Sequence, residues 1–247
     1  MDEPWLQEVH RPQTLAICFS SGDLGDVGRH AVLAALELPP SVVARIRVFG
    51  SNVQQALFHD KWKCACPSHD IHDDNHRLDL IDHVDLTTDP VDLHGVDAVL
   101  LCLGNRIPFH DDNIAYAATE RIVLQQQVPR ICLLTSVGLG DDWPPLPWDR
   151  SHSQILQALF RTVCWTQFQD LSGAELVLRQ QQNDFLVVRA VALDEERVPS
   201  GQWTVQTTKS EEPPASQLAH MDCARFLVQE AVKGSLSRTA VVLGGQR

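Results

Sequence analysis

Long apolar runs are missing from this chain of 247 residues: no stretch approaches the ~20 consecutive apolar residues that a helix needs to cross a bilayer. No membrane span is expected. The opening MDEPWLQEVHRPQ is acidic and has no apolar core, so it does not read as a secretory leader. Basic charge is also scarce. Lys and Arg number 20 against 32 Asp and Glu, a formal charge of −12, and such a field repels nucleic-acid backbones and anionic bilayers. Neither is expected as a partner. The seven cysteines form an odd set, and Cys18, Cys102 and Cys132 fall in apolar runs where a thiol packs as a small hydrophobe. Reduced thiols and a cytoplasmic setting are the expectation. The chain lacks an internal repeat, a low-complexity tract and the GxSxG elbow of α/β hydrolases, which leaves a Ser136, His152 and aspartate triad without support.

What is present is a globular composition, 44% hydrophobic and 21% charged. The length suits one large domain or two small ones, and a single domain over 1–247 is favoured. Strand-length apolar runs recur at 14–19, 44–49, 97–104, 130–136, 184–191 and 239–244. Runs apolar at nearly every position suit parallel strands covered on both faces. Between them, VGRHAVLAALEL, DDNIAYAATERIVLQQQ, LSGAELVLRQQQ and MDCARFLVQEAVKG are long enough for crossover helices. The alternation predicts an α/β fold with a doubly wound parallel sheet, the Rossmann arrangement. Two stretches break the rhythm. Residues 58–82, rich in His and Asp, read as a surface excursion with the third strand resuming near His83; residues 141–166, opening on three prolines and two tryptophans, read as a substrate lid.

At the first strand-to-helix corner, SSGDLGDVGRH sets Gly22, Gly25 and Gly28 at intervals of three. A pyrophosphate is held best by bare backbone N–H groups at a helix N-terminus, where the dipole is positive. Three glycines there would let the chain turn, let phosphates approach and let the helix pack closely on the strand. The spacing is GxxGxxG rather than GxGxxG, and a ligand-free tight turn is the competing reading.

Several motifs in order resemble one family, the atypical short-chain dehydrogenase/reductases, in particular its NmrA-like and biliverdin IXβ/flavin reductase-like branch with a GATGxxG loop. VDLTTDPVDLHGVDAVLLCLGNR is similar to the family's strand-three aspartate and GVDAVI strand four, and RICLLTSVGLGDD to its strand five. DLSGAELVLRQQQNDFLVVRAVAL, SGQWTV and HMDCARFLVQEAV follow in the family's order. The resemblance implies a bound nicotinamide dinucleotide and a small-molecule substrate, in a monomer or small homo-oligomer. It places Gly22, Asp23, Leu24, Gly25, Val27, Gly28 and Arg29 along the pyrophosphate and Ser51 and Asn52 at the adenosine ribose. It puts Asp85 and Leu86 beside the adenine, Leu103, Gly104 and Arg106 near the phosphates or substrate, and Thr135 and Ser136 next to the nicotinamide. Ser136 is the expected catalytic residue.

The departures from the family are informative. Asp23 and Leu24 stand where relatives carry small residues, and a carboxylate beside a pyrophosphate costs affinity unless Arg29 offsets it. The Tyr/Lys pair of typical relatives is missing: the one tyrosine is Tyr116, with Glu120 four residues on, and Ala192 replaces a histidine of the reductase branch. An acid at the end of the second strand would favour NAD; Gly50, Ser51 and Asn52 carry none, which with Arg29 leans the expectation to NADP, NAD being possible.

The reading is an NADPH-dependent reductase of a planar acceptor such as a flavin, quinone or tetrapyrrole. The alternatives are a non-catalytic NADP(H) sensor, or a scaffold whose nucleotide binding Asp23 and Asp26 have abolished. Cys64, Cys66, His69, His72 and His76 match no standard zinc spacing, so no metal is expected. Asp170 and Glu175 read as an N-cap and a solvent-facing or ion-paired residue, and His220 as a capping or packing residue. Trp143, Trp148 and Trp165 read either as a lid or as an apolar cluster under an insertion.

Overall fold

The computed structural model describes residues 6, 11–20, 24–58, 76–104, 113–125, 128–137, 165–194, 196–207 and 217–246. Strand β1 (Gln13–Phe19) is followed by helix α1 (Leu24–Glu37), β2 (Val43–Phe49), the short α2 (Val53–Phe58), β3 (Leu78–Ile81) and β4 (Ala98–Cys102). Then come α3 (Ile114–Leu124), β5 (Arg130–Ser136), α4 (Trp165–Arg179) and β6 (Asp184–Ala190). The chain ends with β7 (Ala192–Asp194), β8 (Trp203–Gln206), β9 (Gln217–Ala219), α5 (His220–Lys233) and β10 (Thr239–Gly245).

Eight strands form one sheet in the order β3-β2-β1-β4-β5-β6-β10-β8, and β7 pairs with β9 in a small second sheet. The large sheet is parallel except for β8, which lies antiparallel on β10. This is the doubly wound fold that the alternating runs predict.

Residues alternate between its faces, as a period of two requires. From β1, Leu15, Ile17 and Phe19 join a core with Val27 and Ala31 of α1 and Ala224 and Leu227 of α5. Ala16 and Cys18 join the opposite core, with Ala115 and Ile122 of α3 and Ala174 and Leu178 of α4. Cys18, Cys102, Cys132 and also Cys223 are buried free thiols, and burial raises their pKa, that of Cys18 to about 12.

The third strand differs from expectation. It lies at 78–81, inside the run read as a surface excursion, and His83 follows it with φ at +60°. As an edge strand it pairs only with β2, from Ile46↔Leu78 to Phe49↔Ile81, and all four residues are half-buried. It therefore carries no continuous apolar run. Arg77 fixes its start, donating to the Leu38 and Val43 carbonyls at 3.0 and 2.6 Å. The rest of that excursion up to 75, and of the second insertion up to 164, lies outside the described residues; Trp165 and Thr166 open α4.

Candidate functional site

The strand order reverses direction between β1 and β4, so the connections leave to opposite sides and a crevice opens beyond their carboxyl ends. Ser20, just past β1, and Gly104, just past β4, join across that gap. Ser20 Oγ donates to the Gly104 carbonyl at 3.1 Å, and the Gly104 N–H reaches Ser20 Oγ at 3.4 Å. Gly104 takes φ +150°, which side chains rarely adopt, while Leu103 before it is fully buried. On the next element, a Cβ at Gly28 would stand 2.6 Å from the Phe19 Cβ. Only glycine lets α1 lie this close to the end of β1. Val27 beside it is fully buried.

The first turn of α1 carries its own ion pair. Asp26, buried, pairs with Arg29, whose Nη1 also reaches the Ala56 carbonyl of α2 at 3.5 Å. The guanidinium expected to offset Asp23 thus faces Asp26. One turn on, His30 Nδ1 lies 2.6 Å from the Asp26 carbonyl, and its ring stacks on buried His220 at 5.8 Å. His220 is a packing residue, as the sequence suggests.

At the end of β2, a Cβ on Gly50 would meet the Phe19 carbonyl at 2.8 Å. Ser51 is half-buried and Asn52 exposed, and Asn52 accepts the Ala56 N–H at 2.9 Å. The corner does hold a carboxylate, against expectation, and it comes from the neighbouring strand. Asp82 accepts from the Val53 N–H at 2.8 Å, the Gln54 N–H at 3.4 Å and the His83 N–H at 2.9 Å. Partial burial works to raise its pKa, but these three donors outweigh it and hold the carboxyl below the usual range. Asp85 sits in a local turn. It accepts from the Thr87 hydroxyl at 2.6 Å and the Thr87 N–H at 2.9 Å, which hold its carboxyl low as well, and Leu86 beside it is buried.

At the end of β5 the two expected residues face opposite ways. Ser136 is half-buried and donates to the Val137 carbonyl at 3.3 Å. Thr135 is buried and donates to Glu175 Oε1 at 2.9 Å; Arg189 of β6 forks onto the same carboxylate at 3.0 and 2.6 Å. Glu175 is therefore a buried ion-paired residue and not a solvent-facing one. Asp170, also buried, accepts from the Ala115 and Tyr116 N–H groups at 3.0 and 2.7 Å. It caps α3 and not its own helix. Tyr116 donates its hydroxyl to Glu120 at 3.0 Å, an acceptor that raises the phenol pKa. Trp165 is 56% exposed.

Leu24 and Gly25 open α1, their side chains lying outside the described residues, as do Gly22, Asp23, Arg106, Trp143, Trp148, His152, Cys64, Cys66, His69 and His72; His76, the last member of that cluster, is described and exposed. Among the described residues no group of His, Cys, Asp or Glu could hold a metal ion, and no helix is long and apolar enough to cross a membrane. Sequence reasoning missed Ser20 and Asp82. Ser20 was visible as the small polar residue that ends the first apolar run; Asp82 gave no signal, because its partners lie 28 and 29 residues away.

Comparisons agree with this architecture. A family model described as NAD(P)H-binding matches residues 75–233, a span that begins after the first crossover. No curated protein matches. Solved structures share the fold at low identity. A short-chain dehydrogenase/reductase from Veillonella parvula in complex with NADP is 12% identical, with a TM-score of 0.63 over 94% of each chain. A candidate NADH-flavin reductase from Streptococcus pneumoniae is 16% identical, TM-score 0.62, over 95% of this chain and 100% of that one. An oxidoreductase from Lactococcus lactis is 16% identical, TM-score 0.61, over 95% and 92%. With the family model covering well over half of its length, the chain belongs to the NAD(P)H-binding family, on the Rossmann-like fold of the atypical short-chain dehydrogenase/reductases.

Proposed function

We propose that this protein is a reductase that binds a nicotinamide dinucleotide across the β1/β4 crevice and passes hydride to a planar conjugated acceptor of the flavin, quinone or tetrapyrrole class. The observation that carries the reading is the close approach of α1 to β1 at Gly28, beside the Ser20 to Gly104 link at the point of strand reversal. Small residues at that point, beside the N-terminal turn of α1, fit a pyrophosphate. Gly22, Asp23, Leu24, Gly25, Val27, Gly28 and Arg29 would line it, with Arg106 near the phosphates or substrate. Ser51 and Asn52 would meet the adenosine ribose, and Asp85 and Leu86 would flank the adenine. Leu103 and Gly104 would pass close to the phosphates, and Ser136, with the backbone of Thr135, would border the nicotinamide, which supplies the hydride when bound.

Ser136 is the candidate catalytic residue, a hydroxyl that orients the acceptor or the nicotinamide amide. Thr135 holds the strand behind it through Glu175 and Arg189. An acceptor that delocalises charge needs little acid assistance, which suits a chain whose one tyrosine is committed to Glu120.

That same commitment favours a second reading, a protein that binds the dinucleotide and reports redox state without turnover. Mixing the protein with NADH or NADPH and a panel of flavins, quinones and biliverdin, while following the nicotinamide absorbance, separates the two. The reductase reading predicts turnover that falls when Ser136→Ala is introduced. Tight binding with no turnover on any acceptor would replace it with the sensor.

A further inference from the structure

Resting on the dinucleotide reading above, we propose that Asp82 is a specificity residue that makes this protein prefer NADH to NADPH. In doubly wound folds the adenosine ribose sits at the end of the second strand, where an acidic side chain accepts from the diol and repels a 2′-phosphate. Gly50, Ser51 and Asn52 carry no acid, and Asp82 supplies one from the next strand. Its carboxylate lies against the Val53 and Gln54 amides that directly follow Asn52. The chain turns sharply to put it there: His83 takes φ +60°, a left-handed conformation uncommon for any residue but glycine. The His83 N–H, at 2.9 Å, fixes the same carboxylate oxygen as Val53.

Two further features act in the same direction. A 2′-phosphate, like other phosphomonoesters, carries about −1.5 to −2 charge near neutral pH and needs donors or cations. The first amides of α2 already donate to Asp82. The arginines of α1 and β2 each face a carboxylate: Arg29 with Asp26, Arg45 with Asp79 at 2.6 Å, and Arg47 with Asp92 at 3.3 Å. Among the described residues, a 2′-phosphate entering this corner would meet a fixed anion and cations already paired, whereas a plain ribose would meet an acceptor.

The test is calorimetric titration of the full chain with NADH and with NADPH at pH 8, for the wild type and for Asp82→Asn. Asparagine keeps an acceptor for the α2 amides and removes the charge. The wild type should bind NADH at least about tenfold more tightly than NADPH, since one uncompensated charge contact of this kind is worth on the order of a decade in affinity. In Asp82→Asn, NADPH should tighten and the ratio should close to within roughly threefold. A wild type that binds NADPH as well as NADH or better overturns the proposal, and this measurement needs no variant to fold. An unchanged ratio in a folded Asp82→Asn also overturns it. Binding of neither dinucleotide removes the underlying dinucleotide reading as well, an outcome distinct from binding both equally.

Discussion

Gly28 is the residue at which sequence and structure meet most directly. Its role as the close-packing glycine follows from spacing alone, and the 2.6 Å that would separate an added Cβ from Phe19 gives the physical reason. The obstructing atom is itself a Cβ, anchored to the strand, so it cannot swing aside. Gly28→Ala should cost roughly 1–3 kcal/mol of stability, as overpacking usually does, read from the urea midpoint. Glu175 makes the opposite case. The motif marked it as acidic, but only the fold buries it beneath Thr135 and Arg189. Glu175→Ala removes the carboxylate on which the buried Arg189 guanidinium forks and should cost about 3–5 kcal/mol. The double variant Glu175→Met with Arg189→Met should recover most of that loss, and a double variant as unstable as the single one would show that the pair is not the reason.

Among the elements, those legible in advance are the ones with strong period or continuous apolarity: β1, β2, β4, β5, β6 and β10, with the helices that cross between them. Those that escaped are short or at an edge. Strand β3 is four half-buried residues, β7 and β9 are three residues each, and β8 lies outermost. Their pairing is decided by neighbours distant in the chain and leaves no local pattern. The start of α3 shows the same dependence. Asn113 precedes the helix but makes no side-chain cap, and Asp170 of α4 accepts the first-turn amides instead. Helix α4 lies close against α3 there, since a Cβ on Gly173 would come within 2.9 Å of the Tyr116 ring. Asp170→Ala should therefore cost about 1–2 kcal/mol and speed hydrogen exchange at the Ala115 and Tyr116 amides more than elsewhere in α3. Equal acceleration along the whole helix would contradict a capping role.

For the whole molecule, the sheet order places the ends of β1, β2, β3, β4 and β5 along one edge, which is why residues as far apart as Ser20, Asp82, Gly104 and Ser136 share a rim. That the central strands run parallel in a doubly wound sheet was readable from the βαβ rhythm, but their order and the direction from which each carboxylate enters were not. Asp82 arrives from an edge strand whose position no run announced. The formal charge of −12 adds a property of the entire surface. A dinucleotide is anionic, so association should be slowed at low ionic strength and should accelerate as salt rises from about 10 to 150 mM, where the screening length shortens to about 8 Å. Stopped-flow quenching of tryptophan emission by NADH reads this directly, and a rate that falls with salt would point to a local basic entrance. The central claim is that the notch between β1 and β4 holds a pyrophosphate, and the measurement that bears on it most directly is a crystal structure determined in excess NADH. The account predicts diphosphate density against the N-terminal turn of α1, between Ser20 and Gly104. A well-ordered notch closed by the Asp26 and Arg29 pair, with no dinucleotide in it, would contradict the account.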